Sequence, residues 1–290
     1  MGYQSSLAAK SFSGKTIVIT GGGSGIGRCT AHELASLGAT VLLLGRTVEK
    51  LRKTAQEITD DGGEAQYYGI DIRDEEKVTE TIGQILEKNT RIHGLVNVAG
   101  GQFRAPLEAI SKKGFETVVQ TNLVGGFLMA REMFKQHFKT HGGSIVNITA
   151  DNKNGMPGMG HSGAARAGVE NLTKTAAWEW GRHGVRVNTV APGWVASSGL
   201  DTYPDEMKVA LRNLKYAVPL GRIACEAEIS SVICFLMSDG ANFISGQSIW
   251  VDGGSNMGSA PALFPLTNQK PSNSDTWDGF HRSELPEVLR

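Results

Sequence analysis

The stretch KTIVITGGGSGIGRCTAHELASLG, Lys15 to Gly38, runs from a β-branched segment through a glycine-rich turn straight into an amphipathic helical pattern. Gly21, Gly25 and Gly27 space as G-x-x-x-G-x-G. Glycines at these points permit a turn too tight for a Cβ. They also let backbone amides approach a pyrophosphate, whose charge then sits at a helix N-terminus. Ser24 and Ile26 lie within the same turn and belong to the same cradle. Outward from it, six more short runs follow: ATVLLLG, AQYYGID, GLVNVAG, GSIVNIT, VRVNTVAPG and QSIWVDGG. They are bounded by Gly, Pro or Asp and separated by helix-length segments. That alternation predicts an α/β fold, doubly wound and Rossmann-type, with a seven-stranded parallel sheet flanked by helices on both faces. The uninterrupted series is expected to form one nucleotide-binding domain over residues 1–257, followed by an irregular tail over 258–290 rich in Ser, Asn and Pro.

Composition narrows the function further. The chain of 290 residues carries 29 Lys+Arg against 29 Asp+Glu, and a neutral balance without a basic face argues against a nucleic-acid partner. The three cysteines are scattered without metal-ligand spacing, which predicts buried core residues in a reducing compartment and no metal site. No apolar run is long enough to span a bilayer, and the N-terminus lacks a signal-peptide core, so a cytoplasmic location without membrane contact is the expectation.

The end of the second strand discriminates between dinucleotides. An acidic residue there would bind ribose hydroxyls, whereas Arg46 offers a guanidinium fork suited to a ribose 2′-phosphate, with Lys50 one turn on. NADP is therefore the expected cofactor. Asp71, with Ile72 after it, is placed to meet the adenine, although an N-cap role for the next helix serves Asp71 nearly as well. In VNVAGG, Asn97, Ala99 and Gly100 leave room for a flat ligand, and Asn122 is a polar residue inside an apolar helical stretch that needs a partner.

Together these motifs resemble the short-chain dehydrogenase/reductase family over roughly positions 12–255: TGGGSGIG, Asp71, NVAG, Asn122, GSIVNIT and VRVNTVAPGWVAS. The resemblance implies a homotetramer assembled through the segments around Asn122 and Gly168. It also implies a nicotinamide end held by Pro192, Gly193, Val195 and Ser197, and a substrate lid over about 197–219. The family's catalytic Tyr-x-x-x-Lys is replaced here. The stretch HSGAARAG places Ser162 at the Tyr position and Arg166 at the Lys position, and the upstream Ser falls at Ala150.

HSGAARAGV and GGQF (Gly100 to Phe103) look like the peroxisomal trans-2-enoyl-CoA reductases, and Ser at the Tyr position is similar to mitochondrial 2,4-dienoyl-CoA reductases. The departures are Asn152, where the dienoyl enzymes have a tyrosine, and Glu170, where the enoyl enzymes have one. This resemblance implies an NADPH-dependent oxidoreductase acting on an acyl-CoA thioester. Reduction of a conjugated double bond places charge on the thioester oxygen, and what it needs most is hydrogen-bond donors there. Ser162 supplies one, Arg166 a permanent charge and a ribose anchor but no proton relay, and water, His161 or Lys153 a proton for the α-carbon. Lys208, Arg212 and Lys215 recur at helical spacing in the lid and are expected to share one face toward the coenzyme A phosphates. Two alternatives remain: a dehydrogenase of an isoprenoid alcohol or aldehyde such as citronellol, and a catalytically silent NADP-binding protein.

Overall fold

A computed structural model describes residues 2–203, 205–257 and 275–290. Seven parallel strands form the main sheet in the order β3-β2-β1-β4-β5-β6-β9. They are β1 (Thr16–Thr20), β2 (Thr40–Gly45), β3 (Glu64–Gly69), β4 (Gly94–Asn97), β5 (Gly143–Ile148), β6 (Val185–Pro192) and β9 (Ser248–Val251). Each coincides with one of the seven expected runs. The remaining two strands, β7 (Val195–Ala196) and β8 (Ala224–Cys225), pair as a small separate sheet beside β6.

Alternation along the strands divides the core between two faces. Ile17, Ile19, Val41 and Leu43 pack toward α1 (Gly25–Ser36) and α9 (Glu226–Met237), meeting Leu34, Ile229 and Ile233. Val18, Leu42 and Leu44 face the other way, toward Val78, Ile82 and Ile85 of α3 (Glu75–Lys88) and Met129 and Met133 of α5 (Gly125–Met133). Side chains this fully buried contribute roughly 1.5–3 kcal/mol each. That explains why strands covered on both sides are apolar throughout, whereas the edge strand β3 keeps Gln66 and Tyr67 exposed.

Between β5 and β6 lies α7 (Gly160–Gly181), and α2 (Val48–Asp60) connects β2 to β3. The connection before β5 begins as α4 (Lys112–Val119) and continues through α5 to α6 (Lys139–His141), with π-helical turns at Gln120–Val124 and Phe134–Phe138. Such turns inside α-helices are frequent at functional sites. Cys29, Cys225 and Cys234 are free and buried, as their scattered positions predicted.

Two expectations about the outer parts change. The lid segment is not one continuous helix but 3₁₀ turns at Ser198–Thr202, Asp205–Met207 and Leu214–Ala217 around a short α8 (Lys208–Arg212). The expected tail divides: residues 258–274 lie outside the described residues, while 275–290 is irregular apart from a 3₁₀ turn at Glu287–Leu289 and is docked. Phe280 is buried against Tyr3, Cys29, Cys225 and Ala227, and Val288 packs with Leu200 and Leu211 of the lid. Among the described residues no helix is long and apolar enough to cross a membrane.

Candidate active site

The sheet reverses its winding between β1 and β4, and in open α/β sheets ligands bind in the crevice beyond the strand carboxyl ends at such a point. Thr20, the last residue of β1, fixes this crevice: its Oγ1 accepts from the backbone N–H of Val98 and of Ala99, both at 3.1 Å. The glycine turn then passes close to the chain after β4. Gly21 has φ +73°, and a Cβ on it would stand 3.0 Å from Ala99 Cα. A Cβ on Gly27 would lie 2.3 Å from Gly21 O, so any larger residue opens the turn. The Ser24 side chain makes no capping bond to α1, and the helix N-terminus points to the crevice undisturbed.

An open cleft of about 940 Å³ follows from there, lined by Gly21, Ser24, Arg46, Lys50, Asp71, Ile72, Ala99 and Gly100. Eight of the residues expected to hold a dinucleotide therefore share one cleft. The cap on α3 is Asp74, whose carboxylate accepts from Lys77 N–H, and this leaves Asp71 for the cleft. Arg73, which sequence reasoning passed over, lines the same cleft and grips Asp71. Its hydrogen bonds hold the Asp71 carboxyl down at about 2. Arg46 is exposed and forms no ion pair among the described residues. The cradle that a Cβ would fill and the unpaired cation at its far end both fit a phosphorylated dinucleotide.

Asn97 is not among the residues lining this cleft. Its amide donates to Asn147 Oδ1 at 2.9 Å and to Gly126 O at 3.2 Å, beneath the cleft floor. Pro192 ends β6 with Gly193 after it, Val195 lies in β7 and Ser197 just beyond it, all outside the cleft lining. Gly193 packs so closely on Asp252 that a Cβ would meet its Cα at 2.8 Å.

The substituted catalytic positions cluster at the start of α7. Ser162 and His161 have no exposed surface. The Ser162 hydroxyl donates to Gln102 Oε1 at 2.7 Å, and its backbone N–H donates to His161 Nδ1 at 2.8 Å. Phe103 meets the His161 ring edge-on at 4.3 Å. His161 thus sits at the helix start, buried between Ser162 and Phe103.

Arg166, one turn along, is buried, and its guanidinium donates to Ile148 O. Burial lowers its pKa to about 10, so it stays cationic at neutral pH. A Cβ on Gly100 would sit 2.7 Å from Arg166 Nη2, so Gly100 is what lets the guanidinium reach the cleft floor. Asn122, in the π-helical turn, accepts from Gly101 N–H at 2.8 Å. Asn122 Nδ2, His161 Nε2 and Arg166 Nε are buried without hydrogen-bond partners among the described residues. Buried donors left without acceptors are costly unless a ligand or water accepts from them.

Lys153 is exposed on its loop, and Ala150 supplies no hydroxyl. Glu170 lies one turn beyond Arg166, where burial raises its carboxyl. The three lid cations do not share a free face: Lys208 pairs with Asp205 at 2.8 Å, Arg212 donates to Val288 O at 2.8 Å, and Lys215 lies over Tyr216. The broken lid removes the periodicity that would have aligned them.

A family profile described as Enoyl-(Acyl carrier protein) reductase matches residues 21–256. The chain belongs to the short-chain dehydrogenase/reductase family. Such a chain is an oxidoreductase that binds a nicotinamide cofactor. It is 35% identical, over 83% of its length and 96% of the relative's, to a probable 2,4-dienoyl-CoA reductase of Bacillus subtilis. It is also 35% identical to the peroxisomal 2,4-dienoyl-CoA reductase of Mus musculus, over 83% of each. A solved structure of a citronellol catabolism dehydrogenase from Pseudomonas aeruginosa superposes with a TM-score of 0.80 at 55% identity, covering 88% of this chain and all of that one.

Proposed function

We propose that the protein is an NADPH-dependent reductase of the carbon–carbon double bond of 2-enoyl-CoA or 2,4-dienoyl-CoA thioesters. One observation carries the reading: α7 presents a buried hydroxyl, Ser162, and a buried fixed cation, Arg166, in place of an acid and its relay. That pair cannot pass a proton to an alkoxide, but it suits an oxyanion, because aligned donors in a water-poor site stabilise developing charge strongly. The curated relatives named as 2,4-dienoyl-CoA reductases support the same chemistry.

In this reading the turn from Gly21 to Gly27 and the N-terminus of α1 hold the diphosphate, and Arg46 and Lys50 hold the 2′-phosphate. Asp71 and Ile72 flank the adenine, and Pro192, Gly193, Val195 and Ser197 support the nicotinamide end. The bound nicotinamide supplies a hydride to Cβ. Ser162 turns its hydroxyl from Gln102 to the thioester oxygen, and Arg166 adds a charge that forms no ion pair among the described residues. Asn122 orders the Gly101 backbone beside them.

A second reading, oxidation of an isoprenoid alcohol or reduction of its aldehyde, is favoured by the 55% identity to the citronellol catabolism dehydrogenase. NADPH consumption followed by absorbance with crotonyl-CoA, decenoyl-CoA, a dienoyl-CoA and citronellal separates the two. Turnover of the thioesters and not of citronellal is expected; the reverse pattern overturns the first reading. Assembly as a homotetramer belongs to the same proposal. Phe127 of α5 and Leu172 and Trp178 of α7 are exposed, Trp178 at 88%, and such aromatics mark association surfaces. A monomer mass by light scattering at micromolar concentration overturns the assembly.

A further inference from the structure

Three parts of the chain meet over Ser162 through one side chain. Ser162 Oγ donates to Gln102 Oε1 at 2.7 Å, Gln102 Nε2 donates to Tyr203 Oη at 3.4 Å, and Tyr203 Oη donates to Met159 Sδ at 3.7 Å. Every donor runs in the same direction, so the last proton in the chain is that of Tyr203. It rests on a thioether, a weak acceptor, and is held only weakly. The half-buried ring packs on the cluster of Leu200, Leu211 and Val288. That cluster is clamped in turn: Val288 N–H donates to Asp201 Oδ1 at 3.0 Å and Arg212 Nε donates to Val288 O at 2.8 Å.

The Gln102 carboxamide is a planar O–C–N unit, and an unsaturated thioester presents a planar O–C–Cα unit of nearly the same shape. Oε1 already takes the Ser162 hydrogen bond that a thioester oxygen has to take. Nε2 then marks the seat of Cα, and the atom facing it is the Tyr203 phenol oxygen. Other acids are worse placed. His161 accepts a backbone N–H at Nδ1, which leaves Nε2 as its hydrogen-bond donor, and the ring has no exposed surface. Lys153 is exposed.

Within the enoyl-thioester reading above, we propose that Gln102 occupies the seat of the substrate's O–C–Cα unit until substrate enters, and that Tyr203 is the acid that protonates Cα. The hydride pair forms the new C–H bond at Cβ, and the π pair of the double bond moves to give an enolate held at oxygen by Ser162. The Tyr203 O–H bond then breaks, its proton joins Cα, and the enolate pair becomes that C–H bond. The half-buried phenolate recovers a proton from water. The substrate gains two hydrogens and two electrons, and the cofactor is oxidised.

The test is reduction of crotonyl-CoA by NADPH in D₂O, with the Cα configuration of the product read by NMR, for native protein, Tyr203→Phe and Gln102→Ala. Native protein is expected to label one face of Cα. Tyr203→Phe is expected to lose about 10²-fold or more in kcat, the scale of one general acid. It should also deuterate both faces, with KM for the thioester and NADPH affinity by fluorescence titration little changed. Gln102→Ala, lacking the stand-in, is expected to lower KM and to keep one-faced labelling. Native kcat and one-faced labelling in Tyr203→Phe, in a protein whose native form reduces crotonyl-CoA, overturn the proposal alone. Native protein inactive on every enoyl thioester overturns the parent reading and this one with it.

Discussion

Arg73 holds the Asp71 carboxylate with two parallel hydrogen bonds, Nε to Oδ1 at 2.9 Å and Nη2 to Oδ2 at 2.5 Å. The cleft therefore contains an acid whose charge is already compensated, beside Arg46, which forms no ion pair among the described residues. A 2′-phosphate entering there meets a free guanidinium and a neutralised carboxylate. The protein is expected to prefer NADPH to NADH. Charge-assisted bonds of about 1.5–3 kcal/mol mean that Arg46→Asp should raise KM for NADPH roughly 10- to 100-fold. Arg73→Ala should weaken NADPH by a smaller factor through the released Asp71 charge. Equal Michaelis constants for the two cofactors in native protein contradict this account.

Glu226 starts α9 beside the glycine turn, where a Cβ on Gly25 would lie 3.8 Å from its Oε1. Burial raises its pKa from an ordinary 4.5 to about 7, against the nearby Arg28 charge, which lowers it. A carboxyl raised in the folded state favours folding in its protonated form. Its contribution is complete below about pH 4.5 and is lost as pH rises through 7. Glu226→Gln keeps the shape without the charge and should leave Tm unchanged at pH 5. At pH 8 it should raise Tm by about 2–6 °C, given roughly 1–2 kcal/mol after discounting for solvent. A Tm gain that is the same at both pH values shows that ionisation is not involved.

Residues 277–290 join the first two helices to the lid. Arg282 pairs with Asp61 at 2.7 Å, Arg28 lies 5.0 Å over Phe280, and Val288 bridges Asp201 and Arg212. Two variants should separate these ends. Phe280→Ala, a large-to-small change in a buried cluster, should cost about 3–5 kcal/mol of stability by urea unfolding. Val288→Asp should instead loosen the lid, raising KM for substrate while NADPH affinity holds. Equal loss of cofactor affinity in Val288→Asp sinks the separation.

The central strands were legible because they are buried on both faces, so Ile17 to Ile19 or Leu42 to Leu44 read as apolar runs wherever they are placed. The glycine turn and Arg46 were legible because their roles depend on position beside a strand end. Arg73 was not, since a charged residue after a strand reads equally as surface. Nor was Gln102 over Ser162, a contact across 60 residues with no local periodicity. The lid cations misled for a physical reason: helical spacing aligns side chains only in a continuous helix, and this segment breaks into 3₁₀ turns. Docking of Phe280 between Tyr3, His32 and Arg28 required the chain termini to meet, which composition alone could not indicate.

Restoring the family's catalytic pair, Ser162→Tyr with Arg166→Lys, tests what the substitution achieves. Position 162 has no exposed surface, so a tyrosine there must expel Gln102 and press on Phe103 and His161. Its phenol then takes the seat assigned to the thioester. The lysine forfeits the planar fork that reaches both Ile148 O and the Gly100 backbone, and regains a relay that enoyl reduction does not use. The double variant is expected to lose enoyl-thioester reduction and to gain weak reduction of ketones or aldehydes. Ser162→Ala alone should lower kcat roughly 10²-fold, the effect of one lost oxyanion donor, with KM little changed. If Ser162→Ala reduces enoyl thioesters at the native rate with NADPH still bound, Ser162 only fills the helix interface and the oxyanion donor lies elsewhere, with the unpartnered His161 Nε2 the next to substitute.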